Sequence, residues 1–300
     1  MKTIKYILSA VILLLVFSCS QESAEPIVEG YAPVRVHVSD FTISVNEFPD
    51  TRTRATDPVD PATYDSVKTI TLAIYDSENN EVYTSTQVKS DATTFTTFGE
   101  FSFNLPVGNY TLVAIGRDVG TDDAFTLASP TEAGYTSERV RQTFCATQSI
   151  SISSPSELLD LSVTLNRIVT MLIIHSTDTR PTGANKVRTT YTEGCKSFNP
   201  TTGLAINDNG FSLINNISQN VGTKAGIGNF SFLYTDEQTM DITLEVLDAN
   251  DQVLVTKVIP DVPLKRNRQT ILRGPLFTPS VSSAAFTLET TWLTGNIVDF

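Results

Sequence analysis

Leu158–His175 reads LLDLSVTLNRIVTMLIIH, the longest apolar tract beyond the N-terminal leader. It is long enough for a helix, but Leu161, Val163 and Leu165, then Val169, Met171 and Ile173, recur at every second residue. A period of two with this many β-branched side chains specifies a strand, because alternate side chains of a strand fall on one face. Asn166-Arg167 interrupts the run.

Upstream, Pro33–Val45 alternates Val34, Val36, Val38 and then Phe41, Ile43, Val45, with a register shift at Ser39-Asp40 that a bulge would produce. Val67–Tyr75 places Ile70, Leu72 and Ile74 on one face, and the turn residues Asp76–Asn80 return the chain through Glu81–Thr84 as a hairpin. Phe101, Phe103 and Leu105 alternate before the turn Pro106–Asn109. Tyr110–Ile115 is apolar on both faces, as in a central strand. Asp118–Arg141 is a polar excursion without a period, with a short helical turn expected near Ser137–Arg141, and Gln148–Ser153 alternates again.

Downstream, strands are expected at Lys186–Glu193, Asn229–Tyr234, Met240–Leu247, Gln252–Ile259, Gln269–Phe277 and Ala285–Leu293. Val221–Gly228, VGTKAGIG, reads as a flexible loop, since no Ser or Thr follows its lysine as a phosphate-binding loop requires. Many short strands with turns between them specify an all-β protein of sandwich type. Ser153–Ser156, SSPS, marks the expected division, giving an N-terminal β-sandwich over 33–155 and a C-terminal one over 156–300. Ile74-Tyr75-Asp76 with its hairpin is echoed by Val246-Leu247-Asp248 with Val253-Leu254-Val255, which fits two copies of one topology.

Met1–Cys19, MKTIKYILSAVILLLVFSC, has two lysines, an apolar run and a small residue before Cys19. That is a secretory leader, too short for a membrane span of about 20 apolar residues. Its end, Val16-Phe17-Ser18-Cys19, resembles a bacterial lipobox, which implies cleavage after residue 18 and acylation of Cys19, with palmitate among the chains. Each buried methylene contributes about 0.8 kcal/mol and two chains hold stably. Residues 19–32 are then a tether, polar and acidic, between membrane and fold.

The chain carries 21 basic and 33 acidic residues; losing Lys2 and Lys5 with the leader leaves a charge of −14. Such a surface repels nucleic-acid phosphates, so no nucleic-acid partner is expected. With Cys19 acylated, Cys145 and Cys195 remain; an oxidising compartment would allow them to pair, but their places in different halves favour two buried thiols. His37 and His175 are the only histidines, each in a strand-like run. No metal, nucleophile or cofactor constellation is visible, so neither an enzyme nor a cofactor is expected. Asn46–Pro61 is a proline-bearing loop. Within it, Arg52 and Arg54 are either solvated arginines or an exposed site for a trypsin-like protease.

In order and spacing, the chain resembles the type V (fimbrillin) pilus subunit and anchor family, and within it the FimB-type anchor lipoproteins. The resemblance is carried by the lipobox cysteine, Thr51–Ala55 after the first strand, Leu105–Leu112 (LPVGNYTL), Leu165–Val169 (LNRIV) and Val262–Thr270 (VPLKRNRQT). It implies two tandem transthyretin-like β-sandwiches and a non-enzymatic role in an adhesive surface fibre. It also implies a lipid anchor in the outer membrane through Cys19, and other pilus subunits as partners. In polymerising members an arginine-specific cut removes the first strand, and a C-terminal strand of another subunit fills the groove. Arg52 and Arg54 fall in the corresponding loop. Pro33–Val45 is then the edge strand to be displaced. The donor is sought in Phe286, Leu288, Trp292, Ile297, Val298 and Phe300, although Phe286–Leu293 also reads as the last strand of its own sandwich. The alternative function is a surface lipoprotein that binds glycan for an uptake system. Trp292, the single tryptophan, reads better as a core or interface anchor than as a sugar platform.

Overall fold

The computed structural model describes residues 30–42, 65–91, 97–120, 124–206, 210–279 and 287–290, with 39–42 and 287–290 described as backbone only. All regular structure within them is β. The first half holds β1 (Tyr31–Thr42), β2 (Thr69–Tyr75), β3 (Glu81–Val88), β4 (Glu100–Pro106), β5 (Gly108–Arg117), β6 (Phe125–Ser129), β7 (Glu132–Tyr135), β8 (Thr143–Ile152) and β9 (Leu159–Arg167). The second half holds β10 (Thr170–Thr179), β11 (Lys186–Tyr191), β12 (Ser197–Asn199), β13 (Leu204–Ala205), β14 (Phe211–Asn216), β15 (Lys224–Ser231), β16 (Glu237–Leu247), β17 (Val253–Lys265), β18 (Gln269–Gly274) and β19 (Thr287–Thr290).

The first sheet runs β3-β2-β5-β8-β9-β1-β4. It joins at β8 and β9 through Phe144↔Arg167 and Cys145↔Asn166 alone, so β3-β2-β5-β8 and β9-β1-β4 form the two layers of a sandwich. Ala32, Val34, Val36 and Val38 of β1 pack in its core with Ile70, Leu72, Leu112, Phe101 and Phe103. The expected bulge is present in β1, where the register to β9 shifts between Val38 and Asp40.

The second sandwich has layers β14-β11-β16-β17 and β15-β10-β18-β19. Its strand order repeats that of the first. The layer β3-β2-β5-β8 corresponds to β14-β11-β16-β17, and β4-β1-β9 to β15-β10-β18. In each copy the first strand is parallel to the last and antiparallel to the other neighbour. Among the described residues, only the second copy carries a further strand, β19, on the outer edge.

Ser153–Ser156, the expected division, lies between β8 and β9 of the first sheet. That segment is an ordinary turn, and β9 after it pairs with β1, so the chain crosses between sandwiches at Ile168-Val169. Both crossing residues are buried, which is why no linker composition marks them. Nor are the halves independent. The β6-β7 hairpin of the first pairs with β12 and β13 of the second in one four-stranded sheet. Gly134 is needed there, because a Cβ on it would lie 2.7 Å from Ser197 Cα. Phe125 and Tyr135 from this hairpin join Phe198 and Phe232 in one aromatic cluster, with Phe198 and Phe232 ring centroids 4.5 Å apart. The outward residues Ala73, Tyr75, Val113 and Ile115 of the first sandwich share that core, so the β2–β5 layer is buried on both faces.

Two local expectations fail. Ser137 and Glu138 form a bend and 139–141 no regular structure, rather than a helical turn. Lys224–Gly228 is not a loop but the start of β15, with Ala225 and Ile227 buried and Gly226 and Gly228 turned to the other face. Met171 lies over Gly228, its Cε 2.6 Å from where a Cβ would stand, so the glycine makes room for a neighbouring strand.

Candidate functional site

β1 is the feature that bears most on assembly. It is not an edge strand, as expected, but lies between β4 and β9. Tyr31–His37 pair antiparallel with Glu100–Pro106, while Val34–Thr42 run parallel to Leu159–Asn166. Taking it out would leave a slot with unpaired ladder groups on both walls and an apolar floor, a deeper acceptor than a bare edge. Gln87, buried, closes one end of this region: its Nε2 donates to Glu100 O at 2.6 Å, and Gly99 N–H donates to its Oε1 at 2.7 Å.

Of the residues singled out in the sequence, Cys19, Arg52, Arg54, Phe286, Trp292, Ile297, Val298 and Phe300 lie outside the described residues. Leu288 falls in β19, paired opposite Leu272 at the edge of the second sandwich. Thr287–Thr290 is thus a strand of the second sandwich.

The chain reaches β19 by a pinned crossing that sequence reasoning missed. After β18, Leu276 and Phe277 turn into the core. The Asp178 carboxylate accepts from Leu276 N–H at 2.8 Å, Phe277 N–H at 2.9 Å, Thr278 N–H at 2.8 Å and Thr278 Oγ1 at 2.9 Å. Lys257 Nζ donates to Thr278 O at 2.6 Å. Burial holds its ammonium below the ordinary lysine range, partly offset by the Asp178 charge. Nothing in the local sequence of Asp178 announces a partner 98 to 100 residues away.

Where β8 and β9 part, a crevice of about 780 Å³ opens toward the second sandwich. One wall is Cys145–Gln148 and Ser162–Thr164; the other is the turn Pro200–Gly203 with Asp236, Glu237 and Lys265–Arg268. Arg167 is buried beside it, 5.0 Å over the Phe144 ring and donating to Asn267 Oδ1 at 3.3 Å. Asp236 pairs with Arg266 at 2.6 Å.

Cys145 and Cys195 are free and buried. The Cys145 thiol donates to Pro200 O at 3.5 Å, and burial pushes its pKa up to about 12. Cys195 Sγ lies 2.9 Å from both Ser197 O and Ile206 O. Since the thiolate is the reactive form, neither thiol should react with a maleimide or disulfide reagent at neutral pH until the protein unfolds. Stoichiometric labelling of the native protein, read by mass, would contradict this. Among the described residues no group of three or more His, Cys, Asp or Glu is placed to hold a metal ion.

The architecture is shared with solved structures. A candidate adhesin from Bacteroides ovatus superposes with a TM-score of 0.53 at 11% identity, over 88% of this chain and 97% of that one. The fimbrial anchor protein Mfa2 from Porphyromonas gingivalis does so with 0.52 at 10% identity, over 87% and 98%. A candidate polysaccharide-binding protein from Bacteroides thetaiotaomicron gives 0.51 at 11% identity, over 83% and 94%. These likenesses establish the fold. No curated protein matches the sequence. A family model described as a family of unknown function, DUF6562, matches residues 33–289, and the chain belongs to that family.

Proposed function

We propose that the protein is a structural, non-enzymatic subunit or membrane anchor of an adhesive surface pilus. In this reading it is held on the outer membrane through lipid on Cys19 and joined to other pilus subunits by strand exchange. The observation that carries the reading is the setting of β1. A first strand buried between two neighbours, and followed in the sequence by Arg52 and Arg54, suits an exchangeable part. Sharing a fold with an adhesin candidate and a fimbrial anchor supports it. The division near residue 155 is replaced in this proposal by two sandwiches meeting at Ile168-Val169 and acting as one rigid subunit.

The mature protein from its native cell tests the proposal. An anchor should carry acyl mass on Cys19 and partition with membranes, and Cys19→Ala should abolish both. A polymerising subunit should instead begin at Thr53 or Ala55 and give SDS-resistant ladders that disappear on boiling. A soluble monomer with neither lipid nor ladder, binding a defined glycan on an array, would replace this reading with the glycan-binding one. The Bacteroides thetaiotaomicron relative is described in those terms.

A further inference from the structure

We infer that the crevice where β8 and β9 part binds an acidic saccharide, a sugar that carries carboxylate or sulfate groups. The lining sets the class of ligand. A pocket for an apolar molecule is lined mainly by apolar and aromatic side chains. Among the described residues around these about 780 Å³ none is aromatic, and Gln148, Thr164 and Asn166 stand exposed on the wall that belongs to the first sandwich. Thr201 and Thr202 stand exposed on the opposite wall. Each of these hydroxyls and amides can both donate and accept, as every sugar hydroxyl does. The two walls are tied together, Thr147 Oγ1 donating to Pro200 O at 3.0 Å, so the space between them is preformed.

Charge narrows the class. Arg167, Lys265, Arg266 and Arg268 line the crevice against Asp236 and Glu237, a net positive lining on a chain of net charge −12. A concave site of one sign concentrates ligands of the other. Three of the four cations come from Lys265–Arg268, where β17 turns into β18. That turn is fixed. Asn267 holds a left-handed φ of 57°, its N–H donates to Val169 O at 2.9 Å, and its Oδ1 accepts from Arg167. Gly203 lets Arg266 lie against the facing turn: a Cβ there would stand 2.9 Å from a guanidinium nitrogen, which donates to Thr202 O at 2.9 Å. The acids paired with Arg266 and Lys265, Asp236 and Glu237, are 68% and 67% exposed. Pairs so exposed hold weakly. The carboxylate or sulfate of a ligand can take their place, and the Arg266 fork offers it two parallel N–H groups. The inference stands on the crevice alone, whether or not the protein builds a pilus.

The test presents the mature full-length protein to an array of uronate-, sialate- and sulfate-bearing glycans beside their neutral parents. Acidic members should be retained about tenfold better than those parents, and added salt should weaken their retention. Thr164→Glu and Gln148→Glu each put a carboxylate into the crevice at an exposed position. Each should cut retention about tenfold by like-charge repulsion, with the melting temperature unchanged. Arg268→Gln, which removes a lining cation, should act in the same direction. Equal retention of acidic and neutral glycans, or retention unaltered in both glutamate variants, would overturn the inference. So would competition by citrate at the sugar's own concentration, which would reduce the crevice to a site for small anions. An array on which no acidic glycan binds would overturn it as well, while leaving the lipid and ladder experiments on the pilus reading untouched.

Discussion

A chain beginning at Ala55 should not persist as a folded monomer, and a peptide spanning Tyr31–Thr42 should restore it. Ala32, Val34, Val36 and Val38 are each no more than 1% exposed. Burying one valine side chain contributes roughly 1.5–3 kcal/mol. Three of them, with the ladders to both β4 and β9 lost as well, approach the whole stability of an ordinary domain, about 5–15 kcal/mol. The expected result is aggregation or strand-swapped oligomers on size exclusion, reversed by the peptide but not by one with Val34→Asp and Val36→Asp. An unchanged melting temperature for the shortened monomer would show that β1 is dispensable. A corollary separates nicking from removal. Cutting the chain at Arg52 or Arg54 leaves β1 paired, so a lipid on Cys19 would still hold the body through that strand alone.

Removing the Asp178 carboxylate should have the next largest effect. Asp178→Ala leaves four donors without their acceptor at the point where Leu276 and Phe277 plug the core. Hydrogen bonds to a charged group contribute about 1.5–3 kcal/mol each, but Thr278 is exposed and can turn to water. A loss of about 3 kcal/mol is therefore expected, or a fall in melting temperature of roughly 6–12 °C for a unit this size. Asp178→Asn can keep one oxygen toward Phe277 and Thr278 and should lose about half as much. Thermal melts of the two variants decide it, and equal losses would mean that the charge rather than the acceptor geometry dominates.

Strands that bury one face of a long run were legible: Ile70, Leu72 and Ile74 of β2 and Val163 and Leu165 of β9 are buried as their spacing requires, but the phase changes at the crossing, and β10 buries Leu172 and Ile174 rather than the expected Met171 and Ile173. Four of the missed strands share a cause. β6, β7, β12 and β13 have between two and five residues, too few for a period to show, and they are strands because they pair across the two halves. The first half of β15, before the expected Asn229–Tyr234, was hidden because Gly226 and Gly228 hold its non-core positions. The sequence echo is real but local. Asp76 Oδ1 accepts from Glu78 and Asn80 N–H, and Asp248 Oδ1 from Asn250 and Gln252 N–H, in matching turns with Asn79 and Asp251 at φ near 60°. Those turns close β2-β3 and β16-β17, which are not equivalent hairpins. Turn chemistry thus imitated a duplication that exists instead in the order of the strands. The crevice and the Asp178 clasp could not be read because each joins residues far apart along the chain.

The sheet shared by β6-β7 and β12-β13 bears on mechanics. Two sandwiches joined only at Ile168-Val169 would hinge under tension, and a filament of such units would stretch at every joint. Here a bending moment at the crossing is carried by a second, laterally displaced attachment whose hydrogen bonds and aromatic cluster must fail together. Each subunit would then behave as a stiff strut, with compliance left to the contacts between subunits. Gly134→Ala should convert the strut into a swivel, visible as a larger radius of gyration in X-ray scattering while both sandwiches stay folded.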